Sequence, residues 1–195
     1  MRLHWFIILS NNKKDEALKL AKTTSIELLE EKKSLHEILQ SCKTICKYLG
    51  TSDKNAWIDL ELNGYLVGYK TRDQLYDNLP SYRKTSWSFY DVYGSLVPLP
   101  RDILDLFGKS VIYQSISEIE NNNHLIIDDQ YLEKFNEFIT KHGMDHASKN
   151  LKIHEAHIPN NELKKVIDGI KTRIQEFLDN MILILEWLWE FNWDR

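Results

Sequence analysis

The periodicity of the chain changes at Asn63-Gly64-Tyr65. Before that point apolar residues recur at helical spacing. Beyond it aromatic side chains crowd together, and helical spacing is lost over a long middle stretch. Such a switch of period commits the chain to helices joined to a smaller β portion. The expected fold is α+β, with an N-terminal helical layer, a small and mostly antiparallel sheet, and a long C-terminal helix.

The helical layer is read as follows. Asn11 or Asn12 caps a first helix, with Asp15 and Glu16 in its positive first turn. Ala17, Leu20, Ala21, Thr24 and Leu28 form its inward stripe. Ser34 and Glu37 have capping-box spacing, and Leu35, Ile38, Leu39, Cys42, Ile45, Cys46 and Leu49 trace one apolar face before Gly50 ends the helix. Ser52 or Asp53 is expected to cap a third helix that begins with Lys54 and Asn55 and carries Ala56, Trp57 and Leu60 on one side. Gly64 takes the left-handed C′ position, Tyr65 folds back on the last turn, and Glu61 and Asn63 serve the local backbone.

Past Pro80-Ser81-Tyr82-Arg83, the alternation of Thr85, Trp87, Phe89 and Tyr93 predicts a half-buried strand over 84–97, or two joined near Gly94. Val97-Pro98-Leu99-Pro100 stops it, because proline donates nothing to a ladder. A short helix is expected over 101–107. Residues 111–120 are ambiguous: Val111, Tyr113 and Ser115 alternate as in a strand, whereas Ile112, Ile116 and Ile119 suit a helix. The reading taken is an extended segment running into a turn at Asn121-Asn122-Asn123. A short strand over 125–127, a helix from Asp128 or Asp129 to about Lys141, and an alternating segment over 151–158 follow. Pro159 and Asn160 or Asn161 then open the last helix, whose apolar positions run from Leu163 through Val166, Ile167, Ile170, Ile174, Phe177 and Leu178 to Met181. With no repeat or low-complexity linker, residues 1–195 read as a single domain, its aromatic-rich helical tail spanning 181–195.

Composition narrows the function classes. Across 195 residues, 43% hydrophobic and 28% charged content are ordinary for a folded protein, and the net charge of −4 argues against a general nucleic-acid binder. Two cysteines, Cys42 and Cys46, form neither a disulfide framework nor a zinc motif. Read as small reduced hydrophobes, they fit a cytoplasmic protein. The apolar opening lacks the marks of a signal peptide, and no apolar run approaches the ~20 residues of a membrane span.

Several elements in this order resemble the AbiTii domain of bacterial abortive-infection systems: Trp57 with Glu61-Leu62-Asn63-Gly64-Tyr65, Pro80 with Tyr82-Arg83, Pro98-Leu99-Pro100, Ser117-Glu118-Ile119-Glu120, and Ile158-Pro159 opening a helix with Ile167, Ile170, Arg173 and Phe177. The resemblance covers roughly residues 25–185. It implies a role in phage defence and carries no agreed catalytic residues with it.

Three site hypotheses follow. His142, His146, His154 and His157, with Asp145 and Glu155, are the residue types of a metal site. Gly143 interrupts the first pair, however, and the second pair points to opposite strand faces, so no metal and no cofactor is expected. Arg83, Glu118, Glu120 and His157 are the candidates for acid/base or nuclease-like chemistry; the alternative reading makes Arg83 a structural ion pair with Glu118 or Glu120. The tail supplies the third. Trp187 with Phe191 and Trp189 with Trp193 form two i, i+4 pairs on different helix faces, so either one face meets a partner or the helix runs through the middle of the fold.

The function taken from this reading is a defence-associated sensing or adaptor module working through protein contacts at the tail aromatics and Tyr82. Its expected partner is a second copy of the chain or a protein encoded in the same operon. Membrane contact is disfavoured by Glu186, Glu190 and Asp194. The alternative is an effector toxin with hydrolytic activity.

Overall fold

The computed structural model describes residues 11–66, 72–101, 103, 109–122, 129–142 and 152–190. It is α+β, with helices at the N-terminus, short antiparallel strand pairs and a long last helix. The chain groups into two compact units, each built from separated segments.

The first unit takes in residues up to Gly68, Gln114–Asn121 and the chain from Ile167 onward. Helix α1 (Asn11–Leu29) packs on α2 (Leu35–Leu49), which also meets α3 (Ala56–Asn63) and the later α5 (Ile116–Asn121). In α1, Ala17, Ala21, Thr24 and Leu28 are buried as their spacing predicts. All seven predicted inward residues of α2 are buried. Ser34 and Glu37 make the capping box, and Gly50 ends the helix at φ 62°, ψ 32°, the left-handed region that glycine enters without steric cost.

The predicted start of the third helix is corrected. Ser52–Asn55 is a 3-10 turn, and neither Ser52 nor Asp53 caps the helix, which begins at Ala56. Asn55 instead donates its side-chain amide to the Thr51 carbonyl at 3.1 Å, tightening the turn back on α2. Gly64 closes α3 at φ 87°, ψ 165°, not in the left-handed helical conformation expected but in an extended region that only glycine occupies readily. Tyr65 does fold back, and Asn63 serves the backbone by donating to the Asp59 carbonyl. Glu61 is completely buried and accepts from the Tyr65 hydroxyl at 2.5 Å.

The last helix, α7 (Asn160–Glu190), begins in the second unit and continues in the first. Its buried positions, Leu163, Val166, Ile170, Ile174, Phe177, Leu178, Leu185 and Leu188, follow the predicted stripe and extend it. Alongside α1 it runs antiparallel: Trp189 donates to Asp15, Lys22 pairs with Glu186, Gln175 donates to Ser25, and Lys171 pairs with Glu31. Trp57 of α3 meets Phe177 edge-on at 6.1 Å and carries the Arg173 guanidinium over its face at 4.4 Å.

The second unit comprises Tyr69–Tyr113 and Asn122–Val166. It holds α4 (Arg72–Asn78), β1 (Lys84–Ser86), β2 (Ser88–Tyr90), β3 (Lys109–Val111), α6 (Asp129–His142) and β4 (Glu155–His157). Of the strand expected over 84–97, or two joined near Gly94, the structure has two three-residue strands with different partners, β1 pairing antiparallel with β3 and β2 with β4, and a turn at Gly94 that brings Leu96 back to bridge Tyr90. Beyond Tyr90 the chain turns, because the Asp91 carboxylate accepts the N–H groups of Tyr93 and Ser95 and Gly94 sits at φ 74°. Tyr93 therefore projects outward, 89% exposed, rather than continuing the alternation. The core of this unit gathers Phe89, Val97, Leu99, Ile103, Leu132, Phe135, Ile139, Ile153 and Ala156, with Phe89 stacked on Phe135 at 4.9 Å.

The extended reading of residues 111–120 is also corrected. Only Lys109–Val111 is strand, and Ile116–Asn121 is helix, burying Ile116 and Ile119 at i, i+3. Most of the expected 101–107 helix and all of the 125–127 strand lie outside the described residues.

Candidate functional site

The two acids singled out for chemistry belong to helix N-termini. Ser115 is the N-cap of α5 and Glu118 its N3 residue. Glu118 accepts the Ser115 N–H at 2.8 Å and its hydroxyl at 2.7 Å, and the hydroxyl in turn receives the Glu118 N–H at 3.3 Å. These bonds, the one from the side chain first, hold the Glu118 carboxyl below the usual glutamate value. Glu120 reaches across to α2, accepting the Leu35 N–H at 2.7 Å and the His36 N–H at 3.3 Å.

Together with the local box, this satisfies all four orphan donors of α2. Glu120 takes the Leu35 and His36 N–H groups, the Ser34 hydroxyl takes that of Glu37, and the Glu37 carboxylate takes that of Ser34 itself. The box lowers the Glu37 carboxyl as well, through hydrogen bonds from Ser34. Both acids thus sit in the first unit as anchors of positive helix ends.

Arg83 and His157 sit in the second unit with partners of their own. Arg83 is completely buried; its Nη1 donates to the Ile112 carbonyl at 3.0 Å, and its own carbonyl accepts the Ile112 N–H at 3.0 Å. It therefore clasps the chain where β1 and β3 pair. The anticipated ion pair with Glu118 or Glu120 is not among the described contacts of any of the three. His157 stacks on Tyr90 at 4.4 Å, and its Nδ1 lies 3.0 Å from Glu155 Oε1. Tyr82 is half-buried in the turn before β1.

Of the other histidines weighed for a metal, His154 is exposed before β4 and His142 ends α6, while His146 and Asp145 lie outside the described residues. Among the described residues no three His, Cys, Asp or Glu converge as metal ligands. Cys42 and Cys46 are buried free thiols, and burial pushes both above the usual thiol value.

A cleft of about 210 Å³ in the first unit is lined by Leu28, Leu35 and Ile167 and by Glu31, Lys33, Glu120 and Lys171. Its cations are paired: Lys171 with Glu31 at 2.5 Å, which lowers the Glu31 carboxyl, and Lys33 with Glu27 at 2.9 Å. The cleft holds balanced charge, suited to fixing α1, α2 and α7 against one another.

The outer face of α7 is different. Leu183 is 67% exposed, and Trp187, one turn further on, is 41% exposed. Trp189 is equally exposed but leans toward α1, its indole N–H donating to Asp15 Oδ1 at 2.6 Å. Phe191 and Trp193 lie outside the described residues. Sequence reasoning picked out the tryptophans but missed Leu183, although its i, i+4 spacing to Trp187 was a readable signal.

A family model described as AbiTii matches residues 19–181, most of the chain, and the protein belongs to the AbiTii family. Membership implies a part in abortive infection, the bacterial defence against phage. No curated protein and no solved structure gives a significant match. Among the described residues no helix is long and apolar enough to cross a membrane.

Proposed function

We propose that the chain is a sensing or adaptor module of an abortive-infection system, acting in the cytoplasm through contacts with another protein. The observation that carries this reading is the outer face of α7, where Leu183 and Trp187 stand exposed on a helix whose opposite face is well buried. An exposed leucine–tryptophan pair on a rigid helix is what an interface anchor requires. The candidate acids give less support to a hydrolytic effector, since Glu118 and Glu120 are already bound to backbone N–H groups.

Induction of the chain alone in growing bacteria, without phage, tests the reading. A contact module leaves growth normal until infection engages its partner. Growth arrest on induction, abolished by Glu118→Ala or Glu120→Ala in a protein that keeps its fold, would replace it with the effector reading.

A further inference from the structure

The same α7 face has a definite charge. Glu176, Asp179, Asn180, Leu183, Glu186, Trp187 and Glu190 recur at i+3 and i+4, which aligns them on one stripe, and every one is exposed. Between Ile174 and Glu190 the helix contains four carboxylates and no lysine or arginine. The stripe is an apolar pair, Leu183 and Trp187, ringed by acid.

We propose that this stripe docks a basic amphipathic segment of another protein, with lysines or arginines around an apolar anchor. The inference rests on the contact reading above and specifies the partner's chemistry. The molecule already makes one such contact internally: Lys22 of α1 reaches Glu186 at 2.6 Å. A cationic side chain also gains from an indole face. An anionic lipid surface or nucleic-acid phosphate would be repelled by the carboxylates. A second copy meeting the stripe face to face about a twofold axis would set acid against acid. The buried positions Ile174, Phe177, Leu178, Leu185 and Leu188 hold the helix from behind, so the stripe is open to substitution without loss of the fold.

The test uses the full chain, a labelled amphipathic Leu/Lys helix, and a Leu/Glu helix of equal length as control. The Leu/Lys peptide binds, more weakly as salt rises, and the Leu/Glu peptide does not. Glu176→Lys with Asp179→Lys weakens binding by about tenfold or more, since two attractive pairs become repulsive. Leu183→Ala with Trp187→Ala weakens it as well, with both variants still folded by circular dichroism. Equal binding of the two peptides, binding of neither, or binding unaltered in the variants would overturn the proposal. So would attachment to anionic vesicles, or a dimer that the Leu183/Trp187 variant dissociates. Phage protection separates this proposal from the reading beneath it. Protection lost in the folded Leu183/Trp187 variant while the Leu/Lys peptide fails to bind removes only the basic partner. Protection intact in both variants removes the contact reading with it.

Discussion

Glu120→Ala removes the acceptor for the first two N–H groups of α2, and its cost can be worked from the contacts. The 2.7 Å bond to the Leu35 N–H is short and charge-assisted, a class that contributes about 1.5–3 kcal/mol. The 3.3 Å contact to His36 is longer and weaker. The favourable field of the helix end, about 0.3–1 kcal/mol, overlaps with these bonds and is not added in full. A total of about 2–3 kcal/mol is expected. For a chain of this size each kcal/mol shifts the melting temperature by about 2–4 °C, so the transition falls by about 4–12 °C. Glu120→Gln keeps a neutral acceptor and recovers part of the loss. Amide exchange supplies the local signature, because Leu35 and His36 lose protection before the interior of α2. A melting temperature within one degree of the parent, with those two amides still protected, would refute the assignment of Glu120 as a helix cap.

Other expectations follow from the same contacts. Arg83→Lys loses the planar fork that reaches the Ile112 carbonyl and destabilises by about 1–3 kcal/mol in urea unfolding; an unchanged midpoint would show that the bond contributes nothing. Glu37 and Glu118 titrate below the ordinary value of 4.5, so their contribution is present above that value and is lost as the pH falls through the lower folded-state values. Stability therefore declines below about pH 4.5, and Ser34→Ala with Ser115→Ala flattens that acid limb; an identical limb in the double variant contradicts the cause assigned. Burial keeps the Cys42 and Cys46 thiols protonated, so a thiol reagent labels them at mildly alkaline pH only on unfolding. Rapid labelling of the folded protein would contradict their place in the core.

What could be read from the sequence was local. The α2 capping box, the α2 face, the Gly50 stop and the α7 stripe depend on residues within a few positions of one another, where spacing alone decides geometry. The same logic marked α5, since Ser115-Ile116-Ser117-Glu118 repeats the Ser-x-x-Glu box of Ser34 and Glu37. The competing alternation of Val111, Tyr113 and Ser115 hid it. Glu120 could not be read this way, because its acceptor role joins segments 85 positions apart. Nor could the burial of Glu61, which folding places beside Tyr65. The strands were misjudged for another reason: at three residues each, they are too short for a two-residue period to mark their ends.

The candidate site divides along the same line. Trp187 was singled out from spacing, but its exposure depends on how α7 seats against α1, which is a property of the fold. The roles of Glu118 and Glu120 likewise became clear only once their acceptor atoms were placed on backbone donors.

The central claim is that the protein defends through the α7 face and not through its helix-capping acids. Plaque formation in bacteria expressing the full system measures this directly, comparing Leu183→Ala/Trp187→Ala with Glu118→Ala at a temperature where both proteins stay folded. Protection lost in the first and kept in the second is the predicted result. Protection kept in the first and lost in the second would contradict the account.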